Sequence, residues 1–155
     1  MTEISLTLRG KEIEVSRRFV NVNKLTFYPD NPRVFSLVWS HGIEPTQSDI
    51  FEKLKSMEHV KQLFHTIKAN GGVTDPLIVR DKDYVVLEGN SRLAAYKLLQ
   101  EKDPINWSSV KCDILPADIS DDDIFSILGE YHIIGRKDWL PYEQAGYLYR
   151  RHTAN

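Results

Sequence analysis

The chain has very little cysteine: Cys112 is the only one in 155 residues. A single thiol excludes an intramolecular disulfide and a cysteine-rich zinc site. No apolar run approaches the ~20 residues of a membrane-spanning helix. The start, Met1-Thr2-Glu3-Ile4, lacks the basic-then-apolar shape of a signal peptide, so the expected location is the cytoplasm, with no membrane partner. An excess of one charge is missing as well: 20 Lys and Arg against 22 Asp and Glu give a net charge of -2. A domain that binds DNA across its own surface is usually basic, so any nucleic-acid contact falls to a local patch or to another domain. There are no internal repeats and no low-complexity segments. What is present, 41% hydrophobic and 27% charged residues, is close to the globular average and sufficient for one core.

Periodicity sorts the chain into strands and helices. Ile4, Leu6 and Leu8 alternate with Ser5, Thr7 and Arg9, and Ile13 and Val15 continue the alternation after Arg9-Gly10-Lys11. This predicts an N-terminal hairpin over residues 1–20. Val20 to Leu25 reads as a short strand or extended entry, and Tyr28-Pro29-Asp30-Asn31-Pro32-Arg33 as turn chemistry. Phe35 to Pro45 has no clear pattern. Thr46 to Asp49 supplies N-cap residue types. Apolar positions from Ile50 to Ile67 then recur at three- and four-residue steps, as one helix or as two broken near Glu58-His59. Asn70-Gly71-Gly72 should end that helix. A second hairpin, Pro76–Arg80 and Tyr84–Leu87 around Asp81-Lys82-Asp83, leads into a helix through Leu93 to Leu99. Val110 to Leu115 reads as a strand with Cys112 buried in it. Ser120-Asp121-Asp122-Asp123 reads as a helix start with favourably placed acids, the helix running to about Tyr131. Pro141 to Arg151 reads as a last helix.

The most informative piece is the strand–turn–helix from Val85 to Tyr96, containing Glu88-Gly89-Asn90-Ser91-Arg92. Helix N-termini present unpaired N–H groups and a partial positive charge. Gly89 permits close backbone approach, Ser91 adds a hydroxyl, and Arg92 adds a guanidinium suited to phosphate oxygens. Together they describe an anion site. A plain strand-to-helix turn, with Arg92 capping or solvated, accounts for the same residues.

Gly-X-X-Arg opening a helix after a hairpin is similar to the Gly-Glu-Arg-Arg box of ParB N-terminal domains and to the Gly-Cys-His-Arg box of sulfiredoxin. Three other stretches agree in order. Asn31-Pro32-Arg33 resembles the Asn-Pro…Arg element near the start of ParB domains. Gly71 to Arg80 resembles the Gly-x-x-x-Pro-hydrophobic stretch that precedes the core hairpin. Arg136 through Trp139-Leu140-Pro141-Tyr142-Glu143-Gln144-Ala145 resembles the later Arg…Leu-x-Pro-x-Glu-x-Ala segment.

The resemblance to the ParB/sulfiredoxin-like superfamily implies an α+β fold: a small mixed sheet, a β-hairpin leading into a phosphate-binding helix, and C-terminal helices. It implies a nucleotide-binding domain over residues 21–155, cut before a helix-turn-helix. It implies CTP or ATP with Mg2+ as cofactor. Gly89, Asn90, Ser91 and Arg92 would surround the phosphates, with Arg33 and Arg136 as further contacts and Thr74, Asp75 and Pro76 along the nucleotide. Glu88 and Glu130 would be the catalytic or metal carboxylates. The sequence also departs from the family. Asn90-Ser91 stands where Glu-Arg does, removing one positive charge. Counting back from Arg136 puts His132 and Ile133 where ParB CTPases have Glu-Asn, with Glu130 two residues earlier. The sulfiredoxin cysteine is absent, which excludes sulfinic acid reduction.

The remaining candidates have simpler explanations. His41, His59, His65 and His152 show no metal-ligand spacing. Trp39, Trp107 and Trp139 suit core or edge packing, and His132 suits packing between Tyr131 and Ile133. The expected function is a nucleotide-binding regulatory module of a ParB-like DNA-associated protein. Nucleotide, DNA through a following domain, and a second copy of the chain are the expected partners. A nucleotide-dependent small-molecule kinase with Glu88 or Glu130 as general base, a metal-dependent nuclease, and a binding module with an empty phosphate turn are the alternatives.

Overall fold

The computed structural model describes residues 2–8, 10–28 and 45–128. The segment with Arg33, Trp39 and His41, and everything from Gly129 onward, including Glu130, His132, Arg136, Trp139 and the expected Pro141–Arg151 helix, lies outside the described residues.

The first alternating segment forms strands β1 (Thr2–Leu8) and β2 (Lys11–Asn21), paired antiparallel from Thr2↔Arg17 to Leu8↔Lys11. β2 runs further than its hydrophobic alternation indicated, because its second half pairs with β6 (Ser109–Leu115), Ser16 facing Ile114 and Asn21 facing Ser109. Val20 to Leu25 is not one extended piece. Asn21 ends the strand, and its side chain accepts from the Asn23 N–H at 2.8 Å, closing a 3-10 turn over Val22–Lys24. A local side-chain bond of this kind competes with the strand ladder. Strand β3 (Thr26–Phe27) follows.

Helices α1 (Gln47–Lys55) and α2 (Glu58–Asn70) come next. The amphipathic run is thus two helices, broken at Ser56-Met57, close to the expected place. Thr46 caps α1 in a reciprocal pair with Asp49, at 3.1 Å in each direction. Gly71, at φ +78°, ends α2 in the left-handed conformation that glycine adopts without steric cost. The second hairpin gives β4 (Leu77–Arg80) and β5 (Val85–Glu88), followed by α3 (Asn90–Lys102). After β6, α4 (Asp121–Leu128) begins with Ser120 accepting from the Asp123 N–H at 3.1 Å.

The strands form one sheet in the order β1-β2-β6-β4-β5-β3, with β4–β6 and β3–β5 parallel and the other pairs antiparallel. Strand alternation divides the core between its two faces. Leu77, Val79 and Val86 point to the side covered by α1, α2 and α3, joining Ile50, Leu54, Val60, Leu93 and Leu99. Ile78 and Leu87 point to the other side, with Ile13, Val15, Leu115 and the α4 residues Ile124, Ile127 and Leu128. Cys112 is fully buried on the helical side, and burial pushes its thiol up to about 12, so it is a packing residue. Trp107 packs edge-on against Tyr96 with ring centroids 5.2 Å apart. Each fully buried leucine here contributes roughly 1.5–3 kcal/mol relative to exposure. Ala94 and Ala95, both wholly buried, let α3 lie close to the strands. That packing fixes where the first turn of α3 sits.

Candidate functional site

The site is the junction of β5 and α3. Between β4 and β5 the register slips: Ile78 faces Glu88, whereas Val79 faces Val86. Leu87 is the extra residue of a β-bulge. A bulge bends its strand and re-aims the side chains beside it, and here it brings both Leu87 and Glu88 into buried positions.

Gly89 follows at φ +104°, as the residue before the first turn of α3. A Cβ there would lie 2.6 Å from Leu77 Cδ2 and 2.9 Å from Arg92 Nη2. Glycine is therefore required twice, for the backbone angle and for space. Because Gly89 has no side chain, α3 has no side-chain N-cap, and no acidic residue occupies its first turn. The initial amides of Asn90, Ser91 and Arg92 gather at this end with the positive pole of the helix.

The three side chains that follow go to different places. Asn90 is buried: its Nδ2 donates to the Val86 carbonyl at 2.8 Å and its Oδ1 accepts from the Tyr28 N–H at 3.0 Å. It ties β5 to the chain leaving β3. Ser91 is half-buried, and its Oγ lies 2.8 Å from His59 Nε2 in the first turn of α2. Arg92 folds back across Gly89. Its Nη2 donates to Glu88 Oε2, and its Nη1 donates to the carbonyls of Asp75 and Pro76. The ion pair is largely dry, with 14% of the Arg92 side chain and 3% of that of Glu88 exposed.

Of the residues expected at a phosphate site, the structure brings together Asp75, Pro76, Glu88, Gly89, Asn90, Ser91 and Arg92, with Thr74 next to Asp75 in the loop ahead of β4. Arg33, Glu130 and Arg136 lie outside the described residues. What the motif did not convey is that the side chains of Asn90 and Arg92 are engaged by the protein itself. Arg92 is a strut between Glu88 and the 75–76 backbone, and its charge is neutralised locally. His59 carries no sequence signal for this site. No spacing rule links it to Ser91, 32 positions later; only the packing of α2 on α3 does.

For Mg2+ the fit is incomplete. Glu88 is the only carboxylate within residues 88–92, and it is held by Arg92. No group of three or more His, Cys, Asp or Glu side chains suited to a metal occurs among the described residues. Mg2+ is commonly bound through one or two carboxylates and the substrate's own phosphates. Among the described residues, any such ion would take most of its ligands from the phosphates. No described helix is long and apolar enough to cross a membrane.

The family model for the ParB N-terminal domain matches residues 40–113, which include α1 to α3, the Gly89 turn and most of β6. No curated protein shows significant sequence similarity to the chain. A solved structure described as a Pnob8-like ParB-N domain superposes with a TM-score of 0.57 at 16% identity, covering 90% of this chain. The match extends over 46% of that structure, so the chain spans about half its length. Residues 40–113 are thus similar in sequence to the ParB N-terminal domain family, and the fold over nearly the whole chain is that of a ParB-N domain.

Proposed function

We propose that this domain is the nucleotide-binding regulatory module of a ParB-like, DNA-associated partition protein, with the phosphates of CTP or ATP seated on the first turn of α3. The observation that carries this reading is the start of α3: a helix end with no side-chain cap, opened by a glycine at which a Cβ would crowd Leu77 and Arg92, with a serine hydroxyl in its first turn. Such an end binds anions through N–H groups and the helix dipole together. Asp75 and Pro76, which bond Arg92 through their carbonyls, and Thr74 before them would lie along the nucleotide. Arg92 acts here mainly by holding Glu88 and the 75–76 backbone in place. Arg33 and Arg136 are the cations proposed for the outer phosphates, with Glu130 as the further carboxylate for Mg2+. DNA contact is assigned to a local patch or another domain, in line with the net charge of -2. Nucleotide-linked pairing with a second copy is the proposed output.

The kinase and nuclease readings need a carboxylate able to take a proton or bind a metal. Glu88, dry and paired with a guanidinium, is poorly suited to either. The test is thermal unfolding with CTP, ATP, GTP and UTP, with and without Mg2+. A ligand at about 100 times its Kd stabilises by about 2.7 kcal/mol, which for a domain of this size raises Tm by roughly 5–10 °C. CTP or ATP should give such a rise, and Gly89→Ala should lose it. If no nucleotide moves Tm under either condition, the reading fails and the domain is a binding module with an empty turn.

A further inference from the structure

We infer that His59 is a positioning residue of the phosphate site, orienting the Ser91 hydroxyl so that its proton faces the ligand. This rests on the nucleotide reading above and identifies a residue that the Gly89–Arg92 motif does not contain.

His59 and Ser91 are the second residues of α2 and α3. Neither helix has a side-chain hydrogen bond at its N-cap, Met57 in one and Gly89 in the other. The 2.8 Å contact between His59 Nε2 and Ser91 Oγ therefore joins two helix starts, each with unpaired amides and a positive pole. Glu58 in α2 offsets part of this field. Both side chains are half-buried, so the pair keeps some access to solvent.

A serine hydroxyl has one proton and two lone pairs. If the imidazole donates from Nε2, it occupies a lone pair of Oγ and leaves the serine proton for an outside acceptor. If Nε2 is bare, it takes that proton, and Ser91 offers a phosphate only lone pairs. The donor form is the one that suits an anionic ligand, and binding of phosphate selects it.

The experiment titrates MgCTP, MgATP and inorganic triphosphate into wild type, His59→Gln, His59→Leu and Ser91→Ala by calorimetry, with each variant's fold checked by circular dichroism. The glutamine amide can donate in place of Nε2, whereas leucine cannot. His59→Gln should hold its affinity within about threefold. His59→Leu and Ser91→Ala should each weaken binding about tenfold, and a variant carrying both should lose little more than Ser91→Ala, since without the hydroxyl His59 has nothing to orient. Wild-type affinity in His59→Leu or in Ser91→Ala overturns the inference while leaving the nucleotide reading intact. So does a loss in His59→Gln equal to that in His59→Leu. Should His59→Leu not fold, the Gln and Ser91→Ala arms still decide. If wild type binds none of the three probes, the phosphate reading falls and the inference falls with it.

Discussion

Strand β5 is bracketed by two turns made from similar parts. The turn before it, Asp81–Tyr84, has a residue at positive φ, Tyr84 at +56°, and an arginine–carboxylate pair, Arg80 with Asp83 at 2.8 and 3.1 Å. The turn after it has Gly89 at φ +104° and the Arg92–Glu88 pair. The difference is burial. Asp83 is 39% exposed at its side chain and Glu88 only 3%. In the outer turn a bulky tyrosine sits in the left-handed region, where the backbone costs about 1–2 kcal/mol, and its hydroxyl accepts from Arg18 Nη2 at 2.9 Å. In the inner turn even a methyl group would strike Leu77. The same turn chemistry is tolerant at the rim of the sheet and exacting over its core.

The comparison is tested hardest at Arg92. Arg92→Ala strips Glu88 of its guanidinium in a dry setting. Breaking a buried pair from one side typically costs about 3–5 kcal/mol, so Tm should fall by roughly 10 °C or more. A Tm within 2 °C of wild type, on the order of 1 kcal/mol, would mean that the inner pair behaves like the outer one. Gly89→Ala comes next. Positive φ and the Leu77 contact together should cost about 2–3 kcal/mol in denaturant unfolding. A neutral result would show that the strand end can shift to make room. Asn90→Ala leaves the Val86 carbonyl and the Tyr28 N–H without their side-chain partner, at about 2 kcal/mol. Faster hydrogen exchange at the Tyr28 amide should accompany it.

These effects also mark what the sequence could convey. Period-two alternation located the first hairpin, and three- and four-residue spacing located α1 and α2, because one buried face imposes those periods on the residues themselves. Gly89-Asn90-Ser91-Arg92 was legible as a helix start, since glycine there separates a strand pattern from a helical one. The partners were not legible. Arg92 bonds Glu88 four residues earlier, but Glu88 lies on a bulged strand end, where no helical i,i+4 rule applies. Asn90 reads as part of the phosphate turn, yet its side chain is a buried clamp, because the Tyr28 amide comes to it from 62 positions away. The His59–Ser91 contact depends wholly on how α2 lies on α3. Local pattern specifies elements, whereas the side-chain pairs that shape the site come from their packing.

The smallest expected effect is at the outer turn. Hydrogen bonds from Arg80 hold the Asp83 carboxyl below its usual range, with the Val85 N–H assisting at 3.3 Å. A carboxylate whose folded pKa is depressed adds stability that is fully present above its unfolded value, near 3.9. That stability is lost as pH falls through the lower folded value. More than a third of the Asp83 side chain is exposed, so solvent screens the pair, and exposed pairs contribute about 0.2–1 kcal/mol. Asp83→Asn should therefore cost less than about 1 kcal/mol at pH 7. The gap between variant and wild type in urea unfolding should close as pH drops below about 4, and should shrink in 1 M salt, where charges are screened within about 3 Å. A cost at pH 7 as large as that of Arg92→Ala, unmoved by salt, would mean that the Asp81–Tyr84 turn is as exacting as the one at Gly89. Burial would then no longer explain why only one end of β5 requires glycine.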